Sequence, residues 1–310
     1  MTVLFILAPS ATLAQEVDAQ VTIEAEYGSV VAKGTVYTAA HHQAGMEDLP
    51  APCNNPDLPV LDEGTVLVSH LDLDTFGGCL RTLASSSDLF DGTHQGFWNL
   101  AHFVDINGPH KLGQSGATDE DIVRLHAFWA WSRENVPRFS REQNTDITPY
   151  VSAAADTIRL IFADDVETLN YGRAMMAETK ALNEATFERI FTDSVVVRVT
   201  DNDKGFCNHL YNTTDGASYK AVAAYNKDAG TITVSLADPV EGVSCRDIMQ
   251  DLFGPEAGGH NGIAGSPREQ HMTYFEFEKT AKTLSAALYE ASKVPAELAH
   301  AVHLENNKEA

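Results

Sequence analysis

The residues best suited to chemistry are concentrated in one short stretch, His70-Leu71-Asp72-Leu73-Asp74. Carboxylates and imidazoles are ligands of Mn²⁺, Mg²⁺ and Fe²⁺. Where a strand gives way to a loop, alternate residues point the same way, so the three polar side chains can converge. Two aspartates this close repel each other unless a cation lies between them. The competing interpretation is that both aspartates cap a following helix.

A second polar stretch, from Gly258 to Gly265, is rich in glycine and contains His260. Dense glycines let backbone N–H groups approach an anion closely. His260 adds a donor for charge that develops on a phosphate, and Arg268 can add a bidentate clamp. The alternative is a flexible surface loop, because a glycine-rich stretch alone is a weak signal.

Together, the His-x-Asp-x-Asp stretch and the later Gly-Gly-His-Asn-Gly-Ile-Ala-Gly stretch resemble the DHH phosphoesterase superfamily, which includes exopolyphosphatase-related proteins. The resemblance implies a metal-binding DHH domain followed by a DHHA1 domain that holds the substrate. It implies divalent-metal ligands, for Mn²⁺ or Mg²⁺, at His70, Asp72, Asp74 and Asp105. It also implies substrate-binding residues at Gly258, Gly259, His260 and Arg268.

The sequence departs from the family in one respect, because it contains no Asp-His-His triplet. The nearest counterpart is Asp105-Ile-Asn-Gly-Pro-His110. The resemblance then implies that Asp105 bridges two metals or precedes the triplet, and that His110 replaces a triplet histidine. His110 would act in catalysis with Asp72 and Asp74. Asp156 is a weaker candidate for a later family aspartate, and it fits the polar face of a helix better.

The other histidines carry weaker signals. The adjacent pair His41-His42 can reach the site if the first strands pack beside it, but a solvated turn is favoured. His94 and His102 are minor candidates. His126 fits a helix near the core, and for Asn208-His209 a structural hydrogen bond is favoured over substrate contact.

Short apolar runs predict the strands that would position the first polar stretch. Gly64 to Ser69 reads as a buried parallel strand, and open α/β sheets place their sites at the carboxyl ends of such strands. Asn99 to Asp105 predicts another strand, which would end in the second candidate ligand. Val3 to Ala8 predicts a third, with a signal peptide as the alternative, although the first basic residue is only Lys33.

The remaining pattern is helical and then changes to strands. Helices are predicted from 118 to 135, capped by Thr118, and over most of 150 to 191. Later elements are strands at 195–200, 219–225 and 231–236, the last two joined as a hairpin, and a helix near 278–292. The predicted fold is therefore α/β: a parallel-sheet domain at 1–192, then a smaller mixed α/β domain at 193–310, with the site in the cleft between them.

Composition restricts the classes of partner. The net charge of −23 repels a phosphate backbone, so long nucleic acid is not expected, whereas a small phosphorylated substrate can approach through a bound cation. Four cysteines without a CxxC pair disfavour a zinc knuckle and fit a reducing cytoplasm. The apolar start is far too short to span a membrane, so no membrane partner is expected. The sequence leaves the oligomeric state open, and a homodimer is one of the alternatives.

The function implied by the resemblance is metal-dependent hydrolysis of a small phosphoester or phosphoanhydride. The substrate would be a short oligonucleotide, a nucleotide or a polyphosphate. Bound divalent metal would activate a water for in-line attack, and the Gly-Gly-His stretch would hold the distal phosphate. The missing triplet motivates the alternative, a catalytically degenerate protein that binds a nucleotide or phosphate.

Overall fold

The protein is divided into two compact units, Met1–Ala177 and Glu178–Ala310. The computed structural model describes residues 3–28, 30–43, 46, 49–192, 194–201, 207–267 and 270–293. Both units combine helices with a sheet that contains parallel strands, which confirms the predicted α/β class.

The first unit is built on a five-stranded sheet with helices that follow its strands. In chain order its elements are β1 (Val3–Leu7), α1 (Ala11–Ala14), β2 (Val21–Ile23), β3 (Glu26–Tyr27), β4 (Val30–Val31), β5 (Tyr37–Ala39), β6 (Gly64–Val68), α2 (Leu73–Arg81), α3 (Gln95–Asn107), α4 (Asp119–Asn135), β7 (Thr145–Asp146), α5 (Thr148–Phe162) and the first part of α6 (Val166–Thr186). Short 3₁₀ segments lie at Pro52–Asn54, Ala84–Phe90 and Pro109–Gln114. The strands at Val3–Leu7 and Gly64–Val68 confirm two of the predicted strands.

The sheet order is β5-β2-β6-β1-β7, and the first four strands are mutually parallel. Their register aligns Ala39, Ile23, Val68 and Leu7 in one row across the sheet. The residues that follow this row therefore emerge side by side at one edge. In open α/β sheets this carboxyl edge is where ligands bind.

Apolar side chains from the strands and from α2 to α5 form the core of the first unit. Phe5, Phe76, Trp98 and Phe128 are among its largest fully buried side chains. The predicted helix at 118–135 is confirmed as α4, and Thr118 caps it in a capping box with Asp121. The strand predicted from Asn99 to Asp105 is wrong, because this segment lies inside α3.

The second unit contains a six-stranded sheet of order β12-β13-β11-β10-β9-β8. Its strands are β8 (Phe187–Thr192), β9 (Val195–Thr200), β10 (Ala221–Asn226), β11 (Thr231–Leu236), β12 (Gly258–His260) and β13 (Ile263–Gly265), and its helices are α7 (Cys245–Phe253) and α8 (Tyr274–Ser292). β10 is parallel to β9, and all other pairings are antiparallel. The predicted β10–β11 hairpin is confirmed, as is the final helix with Leu284 and Leu288 in the core.

The division between the two units falls inside a helix. The division falls between Ala177 and Glu178, within α6, whereas the prediction ended the first domain at residue 192. β8 belongs to the second unit because it is hydrogen-bonded to β9 as the edge strand of that sheet. Among the helices of the described residues, none combines the length and apolarity needed to cross a membrane.

Candidate metal centre

The carboxyl edge of the parallel sheet presents a cluster of acidic and histidine side chains. Glu24 directly follows β2, and His41 and His42 follow β5 by one intervening residue. Since Ile23 and Ala39 are register partners, Glu24 and the histidine pair emerge next to each other. The short β-branched strand Val21–Ile23 therefore serves to bring a glutamate to this edge.

Two helices supply the remaining carboxylates of the cluster. Asp74 lies in the first turn of α2, and Asp105 lies near the carboxyl end of α3. Asp74 is 2 % exposed, and its Oδ1 accepts a hydrogen bond of 2.9 Å from the backbone N–H of Cys53. A Cβ on Gly77 would lie 2.5 Å from the Cβ of Cys53. Only glycine at position 77 therefore lets the 3₁₀ segment Pro52–Asn54 approach α2 this closely. That approach aims the second oxygen of Asp74 at the cluster.

Four buried atoms face one another in the centre of the cluster. His41 Nε2 lies 2.9 Å from Glu24 Oε1, 3.1 Å from Asp105 Oδ2 and 3.8 Å from Asp74 Oδ2. None of the four atoms makes an aligned hydrogen bond to another described residue. Three carboxylate oxygens thus converge on one imidazole nitrogen, and buried carboxylates this close repel one another unless a cation lies among them. A divalent cation is the partner that this donor set fits.

His42 extends the cluster to a second position. Its Nε2 lies 3.2 Å from Asp105 Oδ1 and 3.7 Å from Glu24 Oε2. Glu24 and Asp105 therefore each direct one carboxylate oxygen toward His41 and the other toward His42. The ring centroids of the two histidines are 4.1 Å apart. Two groups of three ligand atoms, within 4.8 Å of one another in each, satisfy the spacing of a metal site: Glu24, His41 and His42, and His41, Asp74 and Asp105.

The backbone at Glu24 is strained. Its φ is 50°, in the left-handed region that glutamate rarely adopts, although its side chain is almost completely buried. Such strain costs on the order of 1–3 kcal/mol and persists where surrounding structure enforces it, often at functional sites. Here the strain accompanies a carboxylate aimed at two imidazoles.

Burial and neighbouring charges shift the pKa values of His41, Asp105 and Asp74 in the directions that their surroundings dictate. Burial disfavours the imidazolium of His41, but the carboxylates of Asp105 and Glu24 outweigh burial and raise its pKa to about 10. Burial opposes ionisation of Asp105 as well, yet the two histidines hold its pKa well below the usual range. Burial, helped by Asp72 and Asp105, raises the pKa of Asp74 to about 7.

The predicted ligands His70 and Asp72 lie outside both ligand groups and pair with each other instead. His70 Nε2 is 3.4 Å from Asp72 Oδ2, and His70 Nδ1 is 3.0 Å from Ser69 Oγ. Burial lowers the pKa of His70, but Asp72 dominates and raises it to about 9. Asp72 is the N-cap of α2, accepting from the N–H of Thr75 at 2.8 Å, so the capping interpretation holds for Asp72 and fails for Asp74.

This pair nevertheless lies beside the cluster. The hydroxyl of Ser69 donates to the backbone carbonyl of Glu24. The charges of Glu24 and Asp105 also favour the imidazolium of His70. The predicted set of four ligands is thus divided: Asp74 and Asp105 meet at His41, and His70 and Asp72 form an adjoining ion pair.

The other predicted residues of the first unit lie elsewhere. The ring of His110 packs against Gly108, and His110 belongs to neither ligand group of the described residues. His94 stacks on Phe162, with ring centroids 3.8 Å apart, and His126 Nδ1 lies 2.8 Å from the carbonyl of Ile122. Asp156 pairs with Arg159 on the exposed side of α5. His102 lies one helical turn before Asp105, with a buried Nδ1 that has no described partner.

The glycine-rich stretch is an ordered hairpin, not a flexible loop. β12 pairs with β13, and a two-residue connection, Asn261-Gly262, joins them. Gly259 has a φ of +140°, and a Cβ there would lie 2.3 Å from the carbonyl oxygen of Ile263. His260 is exposed, and its Nδ1 accepts from the N–H of Gly262 at 3.2 Å, which leaves Nε2 as its outward donor.

Arg246 fixes the outer strand of this hairpin, since its Nε donates to the carbonyl of Gly259 at 2.7 Å. Gly258 has open space around it, so packing would allow a side chain at this position. The predicted clamp residue Arg268 lies outside the described residues.

Sequence reasoning missed Glu24 and favoured the wrong interpretation of His41. Glu24 carries the same sequence signal as His70, because it is a polar residue directly after a short β-branched run. His41 is not on a solvated turn: only 3 % of its side chain is exposed, whereas 44 % of the His42 side chain is.

No family model matches the chain, and no curated protein is significantly similar to it. The class is therefore defined by fold and site: an α/β protein with buried acidic and histidine groups able to hold a metal ion at the carboxyl edge of a parallel sheet.

Proposed function

We propose that the protein is a divalent-metal-dependent phosphohydrolase of the DHH type, with Mn²⁺ as its preferred metal. The observation that carries the proposal is the pair of carboxylates, Glu24 and Asp105, that each face both His41 and His42. Shared carboxylates between two nitrogen ligands are suited to two cations a few ångströms apart. Such pairs of cations clamp the attacking and leaving oxygens in phosphoryl transfer.

The resemblance to the DHH superfamily gains support from the histidine pair. The triplet that names the family contains two adjacent histidines, and here Ala40-His41-His42 supplies such a pair within the cluster. The part of the triplet that is missing is the aspartate, and Asp105 contributes a carboxylate at this place from another element. This arrangement favours a catalytic protein over the degenerate binding protein.

Each group has a distinct role in the proposed reaction. Bound divalent cations would supply Lewis acidity and an activated water. Glu24, His41, His42, Asp74 and Asp105 would hold them. His70, charged at neutral pH beside Asp72, is placed to offset negative charge on a phosphoryl group or to deliver a proton to a leaving oxygen. In the second unit, the exposed His260 and the hairpin glycines would bind a phosphate, in the manner of a DHHA1 domain.

The test is turnover together with metal binding. We expect hydrolysis of bis(p-nitrophenyl) phosphate, short oligonucleotides or nucleotides with added Mn²⁺, and its loss in Asp105→Asn. Mn²⁺ affinity of this variant should fall by more than the 10- to 100-fold that changes around metal ligands typically cause. Asp156→Asn, an exposed helical aspartate, is the matched control and should retain both properties. Full activity of Asp105→Asn would overturn the proposal.

A further inference from the structure

A cluster of three amide side chains, two of them exposed, lies on elements that also position ligands of the metal centre. Gln95 Nε2 donates to Asn54 Oδ1 and to Asn99 Oδ1, both at 2.9 Å, and Asn54 Nδ2 donates to Asn99 Oδ1 at 3.1 Å. Asn54 Nδ2 also lies 3.4 Å from the carbonyl of Trp98. We call these three residues, Asn54, Gln95 and Asn99, the amide triad.

The triad and the metal centre share the 3₁₀ segment Pro52–Asn54, which contains Asn54 and also positions the candidate ligand Asp74. Asn54 directly follows Cys53, whose N–H holds Asp74. Asn99 lies on the same helix as Asp105, six residues before it and thus roughly 9 Å along the axis at 1.5 Å per residue. The triad and the metal centre therefore share two elements, the 3₁₀ segment Pro52–Asn54 and α3.

The internal hydrogen bonds dictate which atoms the triad offers to a ligand. Asn99 Oδ1 accepts twice, so its Nδ2 is the outward donor. Gln95 Nε2 donates twice, so its Oε1 is the outward acceptor. Neither outward atom bonds to another residue in the described part of the chain. Gln95 and Asn99 are both solvent-exposed, so a ligand has access to these atoms.

We propose that the amide triad is a nucleobase subsite, which makes a nucleotide or short oligonucleotide the substrate in preference to pyrophosphate or polyphosphate. A neighbouring donor and acceptor on neutral amides match the donor–acceptor edge of a base, as asparagine and glutamine do when they bind adenine. An inorganic phosphate chain offers only acceptors and negative charge. Hydrogen bonds that already order the amides reduce the entropy lost on binding. The inference rests on the proposed phosphohydrolase for its catalytic readout, and it also has a binding readout of its own.

The matched variants are Asn99→Asp and Asn99→Ala. Aspartate keeps an oxygen that accepts from Asn54 and Gln95, so it preserves the internal network and replaces only the outward donor with an acceptor. A purely structural role for the triad would tolerate this change, whereas base recognition would not. The substrates are thymidine 5′-p-nitrophenyl phosphate and adenylyl dinucleotide, each compared with bis(p-nitrophenyl) phosphate, which carries the phosphodiester charge without a base.

The quantity to measure is the ratio of kcat/KM for a base-bearing substrate to that for bis(p-nitrophenyl) phosphate. Using this ratio removes any general effect of the added charge. We expect Asn99→Asp to lower the ratio at least about tenfold, or about 1.4 kcal/mol, for the adenylyl substrate. An unchanged ratio in both variants would overturn the subsite.

Binding separates this inference from the proposed function. Adenosine, titrated without metal into ¹⁵N-labelled protein, should shift the side-chain NH₂ signals of Asn99 and Gln95, and the shift should disappear in Asn99→Asp. If the wild-type protein hydrolyses none of the substrates, the proposed function fails, and the adenosine titration still decides the subsite. No shift with adenosine, guanosine, cytidine or uridine would overturn it.

Discussion

Asp105 joins two imidazoles: its Oδ2 lies 3.1 Å from His41 Nε2 and its Oδ1 lies 3.2 Å from His42 Nε2. A carboxylate in this position stabilises the imidazolium forms, and the pKa of both histidines is raised. Histidine must be neutral to bind a metal, so protons and cations compete for the same nitrogen atoms.

The first prediction is that metal binding releases a proton at neutral pH. The pKa of His41 is raised to about 10, so in the metal-free protein His41 is charged at pH 7 and must lose its proton when the ion binds. Apparent Mn²⁺ affinity should therefore rise with pH between about 6 and 9, by up to about tenfold per unit for each proton displaced. Isothermal titration calorimetry in buffers of different ionisation enthalpy measures the number of protons released. Binding without proton release would contradict this assignment.

The raised pKa of His41 acts in the opposite direction on the stability of the metal-free protein, which falls as the pH rises. A histidine whose folded pKa is raised contributes stability that is fully present below its unfolded pKa of about 6.5. That contribution is lost as pH rises through the folded value of about 10. Excess chelator should therefore leave a protein that becomes easier to unfold above neutral pH, whereas saturating Mn²⁺ should reverse this trend.

The second prediction concerns Arg81, which positions Asp74 without touching the cluster's unpaired atoms. Arg81 Nε donates to the carbonyl of Cys53, and the N–H of Cys53 holds Asp74 Oδ1. The guanidinium also lies over the ring of Phe90, 4.2 Å from its centroid. Arg81→Met should release the 3₁₀ segment and lower Mn²⁺ affinity about 10- to 100-fold, as is typical of groups that orient ligands.

The control for Arg81 is Arg173→Met, which removes an exposed arginine that pairs with Glu120. Exposed ion pairs of this kind contribute about 0–1 kcal/mol, so metal affinity should not change. Arg81→Lys keeps a donor but loses the planar group over Phe90, and it should give an intermediate affinity. Equal affinities in all three variants would exclude a positioning role for Arg81.

The parts of the fold that could be predicted are those with a local signal. α4 has a capping box and acidic residues in its first turn, and β9 and β11 are β-branched runs. The strand prediction for Asn99 to Asp105 was wrong because a short apolar run does not distinguish a strand from a buried helix. Its hydrogen bonds close within α3, and its apolar side chains Leu100 and Ala101 pack into the core.

The candidate site was less predictable because its geometry depends on strand register. β2 and β5 are three residues long, and their sequences do not specify which strands they pair with or in which register. Only the parallel pairing of Ile23 with Ala39 brings Glu24 beside His41 and His42. His70 and Asp72 were conspicuous because they are close in sequence. His70 and Asp72 form an ion pair with each other. Asp74 and Asp105, which lie on separate helices and far apart in sequence, come together at His41.

The third prediction distinguishes two adjacent glycines of the β12–β13 hairpin. A Cβ at position 259 would overlap the carbonyl of Ile263 and would occupy an unfavourable φ of +140°, whereas position 258 has open space. Gly259→Ala should destabilise the hairpin by about 1–3 kcal/mol, and Gly258→Ala by less than about 0.5 kcal/mol. Hydrogen exchange at β12 and β13 measures the difference.

All three tryptophans lie in the first unit, at positions 98, 129 and 131, so their fluorescence is an internal reference for the hairpin experiment. Gly259→Ala should accelerate exchange in β12 and β13 while the unfolding of the first unit, followed by tryptophan fluorescence, stays the same. Similar exchange rates in the two variants would mean that the hairpin tolerates a side chain at position 259.

The fourth prediction is that the wild-type protein binds two Mn²⁺ ions per chain and that His42→Ala binds one. The first position is formed by Nε2 of His41 and by one carboxylate oxygen each from Glu24, Asp74 and Asp105. None of these four atoms belongs to His42. His42 is more exposed and faces only the outer oxygens of Glu24 and Asp105, so its loss should empty the second position alone. His41→Ala should weaken both positions, because Nε2 of His41 lies at the centre of the first and its ring contacts that of His42.

Stoichiometry by calorimetry and metal content after dialysis decides between one cation and two. Turnover adds a second criterion, since a two-cation reaction should lose most of its rate in His42→Ala while the remaining ion stays bound. A single ion in the wild-type protein, unchanged in His42→Ala, would mean that Glu24 and Asp105 enclose one cation and that His42 is an outer partner of Asp105. The carboxylates would then orient His42 and would not bridge a second metal.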